Sequence, residues 1–277
     1  MKIAMIGLGT TGKIVAEYLL QKQVLALVLG RKNGSAAGKD LGEILHRPHT
    51  GLTIEAADNL EEKIQYYRPN VLIDFSQPNF LRENLPLLAR CKVNVVTAVT
   101  GYSVWETKRI KATARSGRIG VVTAPNITYG VNVLLVLARM VAQLQKSWDF
   151  EIIEENHKNK ADSPSGTAMK IATALSTTIG NLKGQPDQVP IHSIRSGDII
   201  GRHKVLVTGK HDQIEISHTA FSREAYAEGA FKAAQFILGK TGYFEMKDVY
   251  GLGQNEHKVS KRLGSQESLD GICTCIS

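Results

Sequence analysis

The first twenty residues restrict the fold more than any other stretch. An apolar run at 2–6 meets Gly7-Leu8-Gly9-Thr10-Thr11-Gly12 and gives way to a helix-spaced segment at 13–20. A strand that ends in glycines and turns directly into a helix opens a βαβ unit, and parallel strands require such crossovers. The pattern then repeats. Apolar, β-branched runs at 24–29, 71–75, 93–97 and 120–123 read as strands, and 79–90 and 104–116 read as helices between them. Strands alternating with helices predict a parallel sheet covered on both faces.

After Gly130 the order changes. A strongly apolar helix at 131–144 precedes a strand at 150–155 and a helix at 166–179. Strand-like runs at 189–194, 204–208 and 213–218 then follow one another without helices, before a helix at 224–238. Strands in direct succession indicate a mixed or antiparallel sheet. The expected class is therefore α/β: an N-terminal Rossmann-type parallel sheet plus an α+β mixed-sheet domain for substrate binding and oligomerisation. The expected division is 1–127 for the dinucleotide, 128–240 for substrate and assembly, and 241–277 as a C-terminal segment returning to the first domain. Its tail from Gly253, rich in Ser, Lys, Gln and Gly, reads as loosely ordered.

Composition narrows the setting. With 43% hydrophobic and 22% charged residues, the chain reads as an ordinary soluble globular protein. No run approaches the length of a membrane span, and residues 1–6 are too short for a signal peptide. Cys91, Cys273 and Cys275 are too few for a disulfide framework, and Cys273-Thr274-Cys275 alone is not a metal site. A cytoplasmic protein without metal or membrane partner is expected. The formal charge of +8 is carried by scattered Lys and Arg, so it points to phosphate and carboxylate ligands and away from nucleic acid.

Gly7, Gly9 and Gly12 form G-x-G-x-x-G between a strand and a helix, the context a dinucleotide site requires. Gly7 would permit the turn, Gly9 the approach of a pyrophosphate and Gly12 the packing of helix on strand. Thr10 and Thr11 lie at the helix start, whose N–H groups attract phosphate. The second strand ends in Leu29-Gly30-Arg31-Lys32 rather than in an acid. Arg31 and Lys32 suit a ribose 2′-phosphate, so NADPH is the expected cofactor, with use of NADH left open. Thr97 and Thr100, and Asn126 after the later strand, stand at strand carboxyl ends, where an open parallel sheet binds its ligands.

The segment Glu151-Ile152-Ile153-Glu154-Glu155-Asn156-His157-Lys158-Asn159-Lys160-Ala161-Asp162-Ser163-Pro164-Ser165-Gly166-Thr167-Ala168 places a polar run at a strand end. Ser165 or Thr167 can cap the helix that follows, and a helix start can hold an anion. Lys158 and Lys160 concentrate positive charge, and His157 titrates near neutral pH. On these residues alone, a solvated loop before a capped helix and an anion cradle both remain open.

That segment resembles the 4-hydroxy-tetrahydrodipicolinate (dihydrodipicolinate) reductases of lysine and diaminopimelate synthesis. Asp74-Phe75-Ser76, Thr100-Gly101, Ala124-Pro125-Asn126, Gly130-Val131-Asn132, Arg195-Ser196-Gly197-Asp198 and Glu215-Ile216-Ser217-His218 extend the resemblance along the chain. It implies a homotetramer of two-domain subunits that passes hydride from a nicotinamide cofactor to a cyclic unsaturated or imine dicarboxylate. It implies that Lys160, Ser165, Gly166 and Thr167 hold a substrate carboxylate, that His157 lies beside it, and that Thr100 and Asn126 line the nicotinamide and substrate crevice. Two departures stand out. Asn156 occupies the place of the family's general-acid histidine, and an amide orients a ligand but delivers no proton. Ala98-Val99 replaces Gly-Thr in the Gly-Thr-Thr-Gly loop. The resemblance therefore leaves three readings: the family's reductase with His157, Lys160 or water as proton source, a reductase of another imine or conjugated acid, or a non-catalytic NADP-binding homologue.

Overall fold

The computed structural model describes residues 1–145, 147–183 and 188–253. The chain forms two units, one of Met1–Tyr129 with Ala220–Val249, the other of Gly130–Thr219 with the described residues from Tyr250.

In the first unit, β1 (Ile3–Ile6) leads through the glycine turn to α1 (Thr10–Gln21), then β2 (Leu25–Gly30), α2 (Leu41–Leu45), β3 (Ile54–Ala56) and α3 (Leu60–Tyr67). β4 (Val71–Asp74), α4 (Pro78–Arg90), β5 (Asn94–Thr97), α5 (Val104–Gly117) and β6 (Gly120–Thr123) follow. Every residue of β1, β4 and β6 is buried, as two-sided coverage of a parallel sheet demands. The start of α5 is fixed locally: Ser103 Oγ accepts from the Glu106 N–H at 3.2 Å and the Glu106 carboxylate accepts from the Ser103 N–H at 2.8 Å. Such a reciprocal cap satisfies two helix-end donors and contributes about 1 kcal/mol.

The second unit opens with α6 (Tyr129–Leu144), whose first residue still counts with the first unit. β7 (Asp149–Asn156), α7 (Gly166–Lys183), β8 (Ile191–Arg195), β9 (Arg202–Thr208) and β10 (Gln213–Thr219) complete it. The sheet order is β10-β9-β7-β8; β7 is antiparallel to β9 and parallel to β8, so the sheet is mixed. Phe150, Ile152, Val205 and Val207 point to one face and pack with Leu134, Ala138, Ile171 and Leu175 of α6 and α7. Period-2 alternation puts Glu154 and Asn156 on this same covered face, in line with the apolar residues.

The chain then returns to the first unit as α8 (Glu224–Ile237), β11 (Gly242–Glu245) and α9 (Met246–Val249). β11 pairs with β6 and completes a seven-stranded sheet, β11-β6-β5-β4-β1-β2-β3, parallel throughout. This differs from the expected 128–240 domain, because α8 leaves it. The small-residue face Ala227, Ala230, Ala233 and Ala234 is fully buried, and α8 packs on α1 with Tyr18 edge-on to Phe231 at 6.0 Å. Ile237 lies so close over Gly120 that a Cβ there would meet it at 2.5 Å. The helix pattern was correct, but periodicity does not say which sheet a helix covers. β3, α2, α3, β11 and α9 were not anticipated; each is short. The expected loose tail, with Cys273 and Cys275, lies outside the described residues apart from Gly253.

Candidate active site

In the first unit the glycines divide their work. Gly7 has φ +97°, and a Cβ on it would meet the Phe75 backbone at 2.4 Å. A Cβ on Gly12 would meet the Gly7 carbonyl oxygen at 1.8 Å, so α1 sits directly on the turn. Around Gly9, by contrast, nothing lies within 4 Å of such a Cβ. Gly9 caps α1 without a side-chain hydrogen bond, and the first turn carries no acid. The N–H groups at Thr10, Thr11 and Gly12 thus open onto a backbone that a phosphate can approach, which fits a dinucleotide. At the end of β2, Arg31 and Lys32 are exposed. Lys32 stands 4.0 Å from Asp58, whose carboxyl is held below its ordinary value by the Lys63 hydrogen bond first and, after that, by its charge and that of Lys32.

At the ends of β4 and β5 a buried network forms. Asp74 accepts from the Ser76 N–H (2.8 Å), the Ser76 hydroxyl (2.6 Å) and Thr97 Oγ1 (3.2 Å). Burial raises its carboxyl above the ordinary value against those three donors. Since the Thr97 proton goes to Asp74, its oxygen accepts from Val99 N–H at 3.3 Å and Tyr102 O–H at 3.2 Å. Thr97 therefore spends its hydroxyl within the protein, at the carboxyl end of β5 where the cofactor contact is expected. Thr100 is exposed, Gly101 follows at φ +87°, and Asn126 is buried beyond β6.

In the second unit, the polar end of β7 is organised by Glu154, which sequence reasoning passed over. It is fully buried and accepts from Ser165 N–H (2.9 Å), Ser193 Oγ (2.7 Å), Arg195 Nη2 (2.7 Å) and Asn156 Nδ2 (3.2 Å). Burial alone would raise its carboxyl, but hydrogen bonds from Ser165, Arg195 and Ser193 hold it below the ordinary value. The signal was present: a glutamate at an inward position of an alternating strand needs partners. Arg195 also donates to the Asp162 carbonyl at 2.6 Å, and Lys158 N–H to the Gly197 carbonyl at 3.1 Å, so the 157–165 loop is lashed to the β8 end.

Ser165 is the N-cap of α7, its Oγ accepting from the Ala168 N–H at 3.1 Å. Gly166 is exposed, Thr167 half-buried, and Lys160 pairs with Asp162 at 2.5 Å. His157 is half-buried beside them in sequence. The structure thus gathers Asn156, Lys160, Ser165 and Gly166 around one helix start. Next to Glu154 on β9 stands His203, its two ring nitrogens without hydrogen bonds among the described residues. Burial presses it down to about 4, so it is neutral at pH 7. His218 lies 6.4 Å away, near-parallel, and fills the space where a Cβ on Gly130 would stand.

Most of the chain is similar to known reductases. The dihydrodipicolinate reductase N-terminus model matches residues 1–127, and the dihydrodipicolinate reductase C-terminus model matches 130–250. The chain belongs to the dihydrodipicolinate reductase family. Two relatives are named 4-hydroxy-tetrahydrodipicolinate reductase. That of Methanosarcina acetivorans is 35% identical, over 88% of this chain and 96% of its own; that of Ralstonia nicotianae is 36% identical, over 91% and 100%. A solved dipicolinate-bound dihydrodipicolinate reductase from Paenisporosarcina sp. TG-14 shares the fold, with a TM-score of 0.71 at 23% identity over 88% of this chain and 97% of that one. Family, α/β architecture and nicotinamide-dependent oxidoreductase class agree with the sequence reading, and a non-catalytic homologue is not favoured. No helix among the described residues is long and apolar enough to cross a membrane.

Proposed function

We propose that this dihydrodipicolinate reductase family member reduces 4-hydroxy-tetrahydrodipicolinate, a cyclic dicarboxylate of lysine synthesis, with NADPH as the preferred nucleotide and NADH as the second choice. The observation that carries this is the anion cradle of the second unit, where Lys160 pairs with Asp162 beside an α7 start that Glu154 braces from a β7 end rich in hydrogen bonds. A bound nicotinamide supplies the hydride. The chain's own residues do the rest. Gly7, Gly9 and Gly12 admit the pyrophosphate to α1, Arg31 and Lys32 meet the 2′-phosphate, and Thr100 and Asn126 border the ring. Lys160, Ser165, Gly166 and Thr167 neutralise and orient a carboxylate.

Asn156 orients and does not protonate, since its Nδ2 is already given to the Glu154 carboxylate. His203 is no substitute, because burial keeps it neutral. Proton delivery falls to His157, the half-buried imidazole that follows Asn156 at the end of β7, with Lys160 or solvent as the further sources. We assign the chain to a cytoplasmic homotetramer. Its support is the uncovered face of the four-stranded sheet, where Ile194 is 45% exposed and Ile153 and Leu206 half-buried.

The test is NADPH oxidation with enzymatically generated 4-hydroxy-tetrahydrodipicolinate. Turnover at rates useful to a pathway supports the reading. Tight NADPH binding without turnover on this substrate would sink it in favour of another imine or conjugated acid.

A further inference from the structure

The Lys160 ammonium and the Gly166 N–H, two donors of the cradle, already hold an anion, and it belongs to the protein. Asp162 Oδ1 lies 2.5 Å from Lys160 Nζ, and the Gly166 N–H at the α7 start also donates to the Asp162 carboxylate. The backbone of Asp162 is fixed, because its carbonyl accepts from Arg195 at 2.6 Å, and Arg195 is itself locked to the buried Glu154. The carboxylate end is not fixed in the same way. Its side chain is 52% exposed, so rotation about its own bonds carries it into water without remodelling the loop.

We propose that Asp162 is an internal stand-in for the substrate carboxylate, a specificity-determining residue that a ligand must displace from Lys160 and Gly166. The proposal rests on the reading of this cradle as the carboxylate site. A tethered carboxylate acts at high effective concentration, so a free monocarboxylate competes poorly for the same two donors. A dicarboxylate has a second charged group with which to gain affinity elsewhere, and it succeeds where a monocarboxylate fails. The stand-in also keeps Lys160 and the helix start satisfied when no ligand is present, at no net local charge.

The experiment compares the full-length protein with Asp162→Asn, loaded with NADPH, by calorimetric titration with pyridine-2,6-dicarboxylate and with pyridine-2-carboxylate. Removing the competitor frees a half-exposed ion pair, so affinity for the dicarboxylate is expected to rise about three- to tenfold. Binding of the monocarboxylate should rise by at least as much, narrowing the preference for two charges. NADPH affinity and melting temperature should stay at the wild-type values, which shows that the variant is folded. Unchanged or weaker dicarboxylate binding by a folded Asp162→Asn protein would overturn the proposal, and would make Asp162 a brace for Lys160 instead. If wild type and variant both bind NADPH and neither binds the dicarboxylate, the functional reading of the cradle fails first and takes this one with it.

Discussion

Glu154→Gln offers the sharpest test of how the cradle is built. Four donors converge on one buried carboxylate, at 2.7–3.2 Å, and one of them is a guanidinium only 16% exposed. Glutamine keeps the volume but turns one acceptor into an NH₂ that faces donors. Removing one partner of a buried ion pair costs about 3–5 kcal/mol, since the other charge is left uncompensated. For a chain of this size each kcal/mol lowers the melting temperature by about 2–4 °C, so a fall of about 6–20 °C is expected. Scanning calorimetry on the apo protein measures it directly. The double variant Glu154→Leu with Arg195→Leu removes both charges together and should recover much of that loss, because apolar replacements of buried pairs are often neutral. Substrate turnover should not recover, as the α7 start would no longer be held. A Glu154→Gln protein melting within about 2 °C of wild type would refute the claim that this carboxylate organises the β7 end.

Further expectations concern acid, proton supply and cofactor. The folded pKa of His203 is lowered from 6.5 to about 4, so the unfolded chain takes up the proton first as pH falls. Stability is then lost progressively between pH 6.5 and 4, by about 3 kcal/mol at the lower end; a His203→Gln chain should show a flatter acid limb in urea titrations at stepped pH. Asn156→His would set an imidazole in direct hydrogen-bond reach of the Glu154 carboxylate, whose charge favours the protonated form against the burial of that position. An increase in kcat of about 10²-fold or more, with a new alkaline limb in the pH profile, is expected, and no gain would show that proton supply is not what this position limits. Gly9→Ala should fold normally yet bind NADPH at least tenfold more weakly, whereas Gly12→Ala, blocked by the Gly7 carbonyl, should fail to fold to wild-type stability; circular dichroism and NADPH fluorescence separate the two. Arg31→Ala with Lys32→Ala should weaken NADPH and leave NADH nearly unaffected; tighter NADH binding by the wild type would contradict the 2′-phosphate assignment.

Much of this was legible from residue order. The strand, glycine turn and helix at 2–20 gave β1 and α1, because period-2 and period-3.6 patterns are local. The segment 31–70 was opaque for the opposite reason. β3 is three residues long and α2 five, too short for any period to repeat. β11 has no fully buried residue and exists through its pairing with β6, 122 residues earlier in the chain (Gly242 opposite Gly120). At the site, Lys160 and Ser165-Gly166-Thr167 stood out through charge and capping chemistry. Glu154 did not, since its meaning comes from Ser193 and Arg195 on a strand about forty residues away. The partners of Thr97 were hidden likewise, because Asp74 and Tyr102 reach its hydroxyl from other elements.

The first unit is written in two instalments. Ninety residues of the second unit, Gly130–Thr219, are translated between β6 and the helix and strand that complete the nucleotide sheet. On the ribosome, the Gly-rich turn emerges among the first dozen residues, yet the sheet behind it keeps a bare edge at β6 until Glu245 has been made. A message cut short anywhere before that point yields a chain with an open, hydrophobic parallel edge at β6, and one cut before Glu224 also lacks α8 over Gly120. Such a product is marked for aggregation or proteolysis rather than for partial function, so the two units of this protein are inherited together or not at all.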